Sequence, residues 1–327
     1  MLKNRRWPII AGMVLCAVCI VGTTASAEMD SIRFGMRLTN PEMVFMQGKF
    51  YERYDLKVET KLFATGIEMR EAVMTGRVDI GNLGITPVSV AVTRAGDDLY
   101  LVSANQYGGG RYRVVVRVDS PYKSMKDLLG KKVAIKIGSG CYTAFLLYCE
   151  KYGWNEKDFK LLNAGDQVAI AAMEAGSVDA VIYWEPIVSI LEAKGLAREV
   201  ANFEGIVLNP AFLTCRREFA KKNTRALVKL LAGYADAVEL MRTNPKQAAR
   251  FIANALASHG QKTDPRVFEI ALSHITFGVD LKPELIEDQK KNWHTLVRKG
   301  KIKGKEPKWD EIFRPEYLEM AQKLRKK

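Results

Sequence analysis

The sequence predicts an α/β protein with two α/β lobes, joined by a hinge that the chain crosses twice, and with a helical C-terminal part packed on lobe one. A strand-to-helix corner occurs twice, at 76–87 and 176–186, and each copy follows a helical run that ends at glycine. Two apolar segments, 112–118 and 206–215, are placed to carry the chain between the lobes. Ligands of open α/β sheets bind at the carboxyl ends of strands, where helix N-termini point their N–H groups, so two facing corners predict a ligand clamp.

The first 27 residues have the three parts of a secretory signal peptide. A basic segment at 3–6 precedes a short apolar core at 9–21, and a small-x-small cleavage site at 25–27 comes before Glu28. The alternative is a membrane anchor, but a helix needs about 20 apolar residues to cross a bilayer and this core is shorter. We therefore expect residues 1–27 to be removed and the mature chain to be soluble in a bacterial periplasm.

The chain is strongly basic, with a formal net charge of +13 over 327 residues. In a cytosolic protein such a charge would suggest nucleic-acid binding, which export disfavours. In an exported protein it is typical of an anionic small ligand, an anionic membrane surface or solubility alone. The basic clusters at 299–305 and 325–327 are expected to be solvated surface, and no nucleic-acid partner is expected.

The first part of the chain alternates strands with helices, which is the order of a largely parallel sheet with right-handed crossovers. Asn40 is expected as the N-cap of the first helix, because Pro41 and Glu42 suit its first turn. Strands are predicted at 31–36, 56–63, 78–82 and 100–104, and helices at 40–54, 67–75 and 86–94.

The middle of the chain repeats this alternation and is predicted to form lobe two, residues 112–215. It begins with the β-branched run 112–118, interpreted as the first crossing, and ends with 206–215, interpreted as the return crossing. Pro186 is expected at a first helical position, where a missing N–H costs little. Helices are predicted at 124–129, 140–152, 168–175 and 186–191, and strands at 131–135, 159–162 and 180–183.

From residue 219 onward the pattern contains helices only. Amphipathic helices are predicted at 224–241, 245–257, 265–275, 283–299 and 315–324, and the last three begin at or near proline. These helices can cover the first sheet, so lobe one is predicted as 28–111 plus 216–327. Two crossings at a waist are what a hinge-closing binding protein needs.

The motifs together resemble a known family. The signal peptide, Gly-Arg-Val-Asp-Ile-Gly-Asn-Leu-Gly at 76–84, Asp-Leu-Leu-Gly-Lys-Lys-Val at 127–133 and Trp-Glu-Pro at 184–186 are similar to the nitrate/sulfonate/taurine group of periplasmic substrate-binding proteins of ABC importers. The corner Gly-Asn-Leu-Gly at 81–84, followed by Thr86-Pro87, resembles the taurine and alkanesulfonate receptors most.

This resemblance implies a type II periplasmic binding protein fold. It also implies a small anion or zwitterion held between the lobes, delivery to an ABC permease in the inner membrane, a monomer, and no cofactor. The group also includes receptors for nitrate, bicarbonate, aromatic carboxylates, thiamine pyrimidines and flavins, so family membership leaves the ligand open.

Four predicted strand-to-helix corners can face the cleft. Each helix start offers unpaired N–H groups and about half a positive charge, so a sulfonate or carboxylate can be held there without a basic side chain. Asn40 and Thr86 are equally well explained as helix caps, and Gly-Ser-Gly at 138–140 as a plain tight turn. The predicted ligand-binding residues are Thr39, Asn40, Ile85 and Thr86 from lobe one, and Ser139, Gly140, Cys141, Tyr142, Trp184 and Glu185 from lobe two.

Glu185 is expected at an N-cap position, where glutamate is a poor choice for stability. An acidic side chain beside the cleft would suit an ammonium group, which favours a zwitterion such as an aminosulfonate; the alternative is a solvated charge at a helix start. Trp184 and Tyr142 can stack on a flat ligand or enclose an alkyl chain, which keeps a flat heterocycle as a competing ligand. Packing of Trp184 in the core is the alternative to a ligand contact.

Other classes of protein fit the sequence less well. The resemblance extends to a pyrimidine synthase of the same fold that consumes its own histidine, but His259, His274 and His294 all lie in the helical C-terminal part. No catalytic triad or metal-ligand spacing is present, so no enzyme is expected. A receptor that reports to a membrane kinase would share every feature above. Cys141, Cys149 and Cys215 remain after cleavage, and an odd number leaves at least one thiol unpaired.

Overall fold

The computed structural model describes residues 29–326, so the predicted signal peptide lies outside the described residues. Two β-sheets, each with helices packed on both faces, form the body of the protein. The first sheet with its helices is lobe one, and the second sheet with its helices is lobe two. The strands are β1 Asp30–Met36, β2 Leu56–Leu62, β3 Ile80–Gly84, β4 Leu99–Tyr107, β5 Tyr112–Arg117, β6 Lys132–Ile135, β7 Lys160–Asn163, β8 Ala180–Trp184, β9 Ala197–Asn202, β10 Ala211–Arg216 and β11 Thr276–Phe277.

The helices predicted after residue 224 agree with the structure to within about two residues, the usual uncertainty of helix ends. Two short helices, Arg217–Lys222 and Trp309–Ile312, are not among the predicted ones, and the predicted helix at 124–129 is a 3-10 turn at Met125–Leu128. The predicted helix at 40–54 is wrong in length, because it ends at Gln47, before Gly48. The α-helices are α1 Asn40–Gln47, α2 Gly66–Met74, α3 Ile85–Ala95, α4 Gly140–Lys151, α5 Asp166–Glu174, α6 Ile187–Ala193, α7 Arg217–Lys222, α8 Thr224–Thr243, α9 Pro245–Ser258, α10 Pro265–Ser273, α11 Pro283–Arg298, α12 Trp309–Ile312 and α13 Pro315–Arg325.

The first sheet has the strand order β11-β4-β10-β3-β1-β2. β1 pairs in parallel with β2 and β3, as the alternating pattern predicts, but β10 pairs antiparallel with β3 and β4. β10 carries the chain back from lobe two, so it runs through the sheet in the opposite direction. The expectation of a largely parallel sheet is therefore wrong. The predicted lobe-two range 112–215 also extends too far, because β10 belongs to the first sheet.

The second sheet has the strand order β7-β6-β8-β5-β9. β6 pairs in parallel with β7 and β8, whereas β5 lies between β8 and β9 and is antiparallel to both. The run 112–118 is therefore a strand inside lobe two rather than a crossing. β9 is not among the predicted strands, because its sequence Ala-Arg-Glu-Val-Ala-Asn does not alternate apolar and polar residues.

The C-terminal helices pack on lobe one, as predicted. α8 and α9 cover the same face of the first sheet as α1, and α11 and α12 contribute to the opposite face with α2 and α3. On the first face Phe34 packs edge-on against Phe45 and Tyr234, and all three side chains are fully buried. Such aromatic pairs add about 0.5–1.5 kcal/mol each beyond the burial of their area. None of the helices between residues 29 and 326 combines the length and the apolar character that a bilayer crossing needs.

The waist consists of the segments 108–111 and 203–210, which pass each other closely. The backbone N–H of Gly108 donates to the Leu208 carbonyl at 2.7 Å. A Cβ atom on Gly109 would lie 2.0 Å from the carbonyl oxygen of Phe203, and Gly108 has φ +105°, so both positions require glycine. The two crossings are therefore packed against each other and meet at one place.

Candidate functional site

The four predicted corners lie at the carboxyl ends of β1, β3, β6 and β8, where α1, α3, α4 and α6 follow. Contacts between the lobes join the β3–α3 corner to the β6–α4 corner, and the β1–α1 corner to the β8–α6 corner. The Thr86 hydroxyl of lobe one donates to the Ser139 carbonyl of lobe two at 3.1 Å and lies 2.9 Å from the Thr143 hydroxyl. The Arg37 guanidinium of lobe one lies 5.9 Å from the centre of the Trp184 ring of lobe two. The structure therefore brings corners of both lobes to one interface.

The β3–α3 corner contributes Ile85 and Thr86 to this interface. Gly84 occupies the N-cap position, so Thr86 lies inside the first turn and is not the cap of α3. Its hydroxyl is directed to the other lobe instead. Ile85 is buried, and its carbonyl accepts hydrogen bonds from Ser89 at 3.1 Å and Gln289 at 3.2 Å, so it fixes the first turn of α3 against α11.

The β1–α1 corner holds a buried carboxylate. The predicted N-cap Asn40 is wrong by one residue, because Thr39 occupies the cap and its hydroxyl donates to Glu42. Asn82 donates to the other oxygen of Glu42 at 3.1 Å. Burial raises the pKa of Glu42, which has no exposed surface. Asn40 is 2% exposed, and its Oδ1 atom has no hydrogen-bond partner among the described residues, so this corner keeps an open acceptor.

The β6–α4 corner is capped by its own side chain. The Ser139 hydroxyl accepts a hydrogen bond from the Tyr142 backbone N–H at 3.2 Å. Gly140 is required by a protein contact: a Cβ atom there would lie 2.5 Å from Oδ1 of Asn209, and Nδ2 of Asn209 donates to the Gly140 carbonyl at 2.7 Å. The close approach that the sequence suggested for an anion is therefore made by Asn209.

Cys141 and Tyr142 face the interior of lobe two. Both side chains belong to its hydrophobic core, and burial raises the pKa of the Cys141 thiol. The Tyr142 hydroxyl is hydrogen-bonded to Glu156, and Lys301 lies 5.4 Å from its ring centre. The expectation that Tyr142 stacks on a ligand is wrong for this conformation. The thiols of Cys141, Cys149 and Cys215 are all buried and free.

Glu185 is the largest departure from the sequence prediction. Its side chain has no exposed surface, and Oε1 accepts from Arg113 at 2.9 Å. Oε2 accepts from the backbone N–H of Ser189 at 3.2 Å, and Pro186 rather than Glu185 occupies the N-cap position of α6. Neither a ligand-facing acid nor a solvated charge is therefore correct. Glu185 is an internal partner of Arg113, and nothing in the corner sequence could show this because Arg113 is 72 positions away.

Trp184 remains at the edge of the cleft. It is half-buried, and its ring packs against Tyr183 with centres 4.2 Å apart. One part of the ring therefore belongs to the core of lobe two, while Arg37 approaches it from lobe one. A cation beside an aromatic face contributes about 0.5–1 kcal/mol at partly exposed sites.

Two arginines that the sequence prediction missed lie at this interface. Arg37 follows β1 directly, and Arg111 ends the first crossing. In each side chain the Nε atom is buried without a hydrogen-bond partner among residues 29–326. Arg37 could have been found, because it lies two residues before the predicted corner at 39–40. Arg111 follows three glycines and carries no pattern that distinguishes it from a surface arginine.

A group of ion pairs closes the flank of the interface. Arg298 of α11 contacts both carboxylate oxygens of Glu150 on α4, at 3.1 and 3.0 Å. Lys301 contacts Glu156 at 2.8 Å, and Lys299 lies 3.8 Å from Glu150. These five residues connect the C-terminal part of lobe one to lobe two.

The described residues show no arrangement for metal chemistry. Between residues 29 and 326 no group of three His, Cys, Asp or Glu side chains could hold a metal ion. His294 lies 3.1 Å from Glu306 on the surface of lobe one, away from the four corners.

Residues 43–248, more than half of the chain, match the family model described as NMT1/THI5 like. A taurine-binding periplasmic protein of Escherichia coli (strain K12) is 23% identical over 236 residues, which cover 71% of this chain and 72% of that protein. A protein of the same strain with the provisional name aliphatic sulfonates-binding protein is 26% identical over 245 residues, covering 74% and 76%.

Solved structures share the fold. The alkanesulfonate-binding protein SsuA from Xanthomonas axonopodis pv. citri, bound to MOPS, is 25% identical with a TM-score of 0.75, and the alignment covers 84% of this chain and 95% of that one. This similarity confirms the predicted fold of two α/β lobes.

Proposed function

Since the chain belongs to the NMT1/THI5-like family, as its motifs predicted, we propose that it is the extracytoplasmic solute-binding protein of an ABC importer, and not an enzyme. It captures a small organic anion between the lobes in the periplasm and delivers it to a membrane permease. Relatives named for binding taurine and aliphatic sulfonates support this role. In this proposal, lobe one consists of residues 29–107 and 211–326, and lobe two consists of residues 112–202.

The observation that carries the proposal is the meeting of corners from both lobes. Thr86 reaches the first turn of α4 through two polar contacts, and Arg37 approaches Trp184 from the opposite lobe. A solute that touches both lobes binds the closed state more tightly than the open state. Its differential affinity therefore drives closure, and the closed surface is what the permease recognises.

The charges at this interface support an anion. The helices α1, α3 and α4 each start here, and each start offers unpaired N–H groups and about half a positive charge. Arg37 adds a full positive charge, and it is half-buried beside Trp184. A sulfonate suits both features, because it accepts several charge-assisted hydrogen bonds at once.

The two other ligand classes that the sequence left open have less support. An ammonium group would need an acidic acceptor, but Glu185 is already paired with Arg113. A flat heterocycle would need Trp184 and Tyr142 as a pair, but Tyr142 faces Glu156 inside lobe two. An aliphatic anion that extends along Trp184 requires neither.

The proposal is tested by measuring the melting temperature of the protein with alkanesulfonates, taurine, nitrate, aromatic carboxylates and thiamine pyrimidines. A ligand present at 100 times its Kd stabilises the folded state by about 2.7 kcal/mol, which raises the melting temperature by several degrees. We expect a sulfonate to produce this shift. Arg37→Gln should weaken binding at least about tenfold.

Arg77→Gln is the matched control, because Arg77 is an exposed arginine of the same lobe. It should bind like the wild type. If no sulfonate shifts the melting temperature, or if Arg37→Gln binds as tightly as Arg77→Gln, the proposed ligand class or its site is wrong.

A further inference from the structure

The two arginines at the waist, Arg111 and Arg113, differ in their neighbours. The Arg113 guanidinium is paired with three carboxylates, from Glu185, Glu192 and Glu199. The Arg111 side chain is equally buried, at 6% exposed, but among residues 29–326 it forms no salt bridge. Its Nη2 donates to the carbonyl of Asn209 at 2.7 Å, and its Nε has no partner.

Arg111 lies beside the start of α4, because Asn209, which accepts its hydrogen bond, donates in turn to the carbonyl of Gly140. Its guanidinium is 4.4 Å from the centre of the Tyr112 ring and close enough to Cys141, in the first turn of α4, to influence that thiol. Burial lowers the pKa of Arg111, and the positive charge of Arg37 lowers it further. The two positive charges therefore influence each other.

Arg37 is likewise without a salt bridge in the described part of the chain. The buried carboxylate of Glu42 in the same corner does not pair with Arg37, because its two oxygens accept hydrogen bonds from Thr39 and Asn82. A buried charge without a counter-charge costs several kcal/mol. Arg111 carries such a charge at the waist, and the half-buried Arg37 of lobe one adds a second charge of the same sign. The arrangement is costly unless an anion compensates both.

We infer that the ligand carries two anionic groups, a sulfonate and a second oxyanion such as a carboxylate, on a short aliphatic chain. This inference rests on the proposed function and narrows its ligand class. One group compensates Arg37 beside Trp184, and the other compensates Arg111 at the waist. A zwitterion would place an ammonium group among guanidinium groups, where like charges repel.

Three small ligands that share a sulfomethyl group test this inference by isothermal titration calorimetry on the full mature protein. Sulfoacetate carries a carboxylate where ethanesulfonate carries a methyl group and where taurine carries an aminomethyl group. We expect sulfoacetate to bind at least about tenfold more tightly than ethanesulfonate, since a second charge-assisted contact is added, and taurine to bind most weakly.

The variants Arg111→Met and Arg37→Gln separate charge recognition from folding. In either variant the preference for sulfoacetate over ethanesulfonate should fall below about threefold, while Arg77→Gln keeps it. The melting temperature of each ligand-free variant checks that it folds, and Arg37→Gln, at a half-buried position, serves if Arg111→Met does not.

The outcomes distinguish the inference from the function on which it depends. If taurine or ethanesulfonate binds as tightly as sulfoacetate, or if both variants keep the preference, the inference of a dianionic ligand is wrong. The proposed function as a sulfonate-binding protein is then unaffected. If none of the three compounds binds, the sulfonate receptor falls together with the inference.

Discussion

Arg111 and Arg113 stand two positions apart at the start of lobe two, and their surroundings are opposite. Arg113 is enclosed by three glutamates, whose hydrogen bonds raise its pKa although burial alone would lower it. Arg111 is held by one backbone carbonyl and an aromatic ring. The difference teaches that burial of a charged side chain does not identify a binding residue; the state of its partners does. A charge satisfied within one lobe supports the fold, whereas an unsatisfied charge between lobes is available to a ligand.

The largest expected effect is on stability, from Arg113→Met. Removing this arginine leaves Glu185 buried without a counter-charge, and breaking a buried ion pair in this way costs about 3–5 kcal/mol. Urea unfolding of the ligand-free protein measures the loss. Arg117→Met is the control on the same strand, because Arg117 pairs with Asp119 at an exposed position, where the loss of an ion pair has little effect on stability. Equal effects of the two variants would contradict the structural role of Arg113.

Glu42 is a buried carboxylate that, like the buried charge of Arg111, has only neutral hydrogen-bond partners. Because burial raises its folded-state pKa, the folded state binds the proton more tightly than the unfolded state does. Stability should therefore fall as the pH rises from the ordinary carboxyl value of 4.5 through the raised pKa. Glu42→Gln keeps an acceptor for Asn82 and removes this charge.

The stability of Glu42→Gln should equal or exceed that of the wild type at pH 7, and the advantage should vanish below pH 4.5, where the wild-type side chain is protonated in both states. Chemical unfolding at several pH values measures it. Glu52→Gln, at an exposed position, is the control for removing one carboxylate from the same lobe. A Glu42→Gln variant that is less stable at every pH would show that the ionised form is favoured in the folded protein.

Arg111→Met tests whether the second arginine, unlike Arg113, is dispensable for stability. It removes a buried charge that has no ionic partner, at the cost of one hydrogen bond worth about 1 kcal/mol. The ligand-free protein should therefore lose no more than about 1 kcal/mol of stability, and relief of the buried charge should make it at least as stable as the wild type. A loss as large as that of Arg113→Met would mean that Arg111 is a structural residue of the waist.

The smallest expected effect comes from the ion pairs on the flank of the interface. Arg298→Glu places like charges at the Glu150 contact, and exposed ion pairs are worth about 0.2–1 kcal/mol, so ligand affinity should fall about two- to fivefold at low salt. The swap Arg298→Glu with Glu150→Arg should restore it. If ligand affinity does not change, these pairs persist in the open state and contribute nothing to closure.

The fold was largely predictable because apolar periodicity and glycine or proline punctuation are local signals. The corners at Thr86 and Ser139 could be placed in this way, and the structure brings them together. The glycines at 108–110 suggested flexibility, but Gly109 is needed for close packing against Phe203, which is distant in sequence. The role of β10 was missed for the same reason, since its partners are set by the route of the whole chain.

The candidate site was less predictable than the fold. Glu185 had the right chemistry and the right corner, but its environment depends on Arg113 in another strand. Arg111 gave no signal in the sequence, and although Arg37 stands next to a predicted corner, only coordinates reveal that the Nε atoms of both side chains are buried without a partner. The site depends on side-chain partners that are separated by tens of residues, whereas the helices and strands depend on local patterns. The site was therefore harder to predict than the helices and strands.

We propose that the two lobes close on a small organic anion, whose charge is compensated by arginines that form no salt bridge within the described residues. Small-angle X-ray scattering of the mature protein, with and without saturating sulfoacetate, measures this closure. The radius of gyration of the wild type should fall when the ligand is added, and that of Arg37→Gln should stay constant. A radius of gyration that does not change in the wild type, although calorimetry shows that the ligand is bound, would contradict the claim.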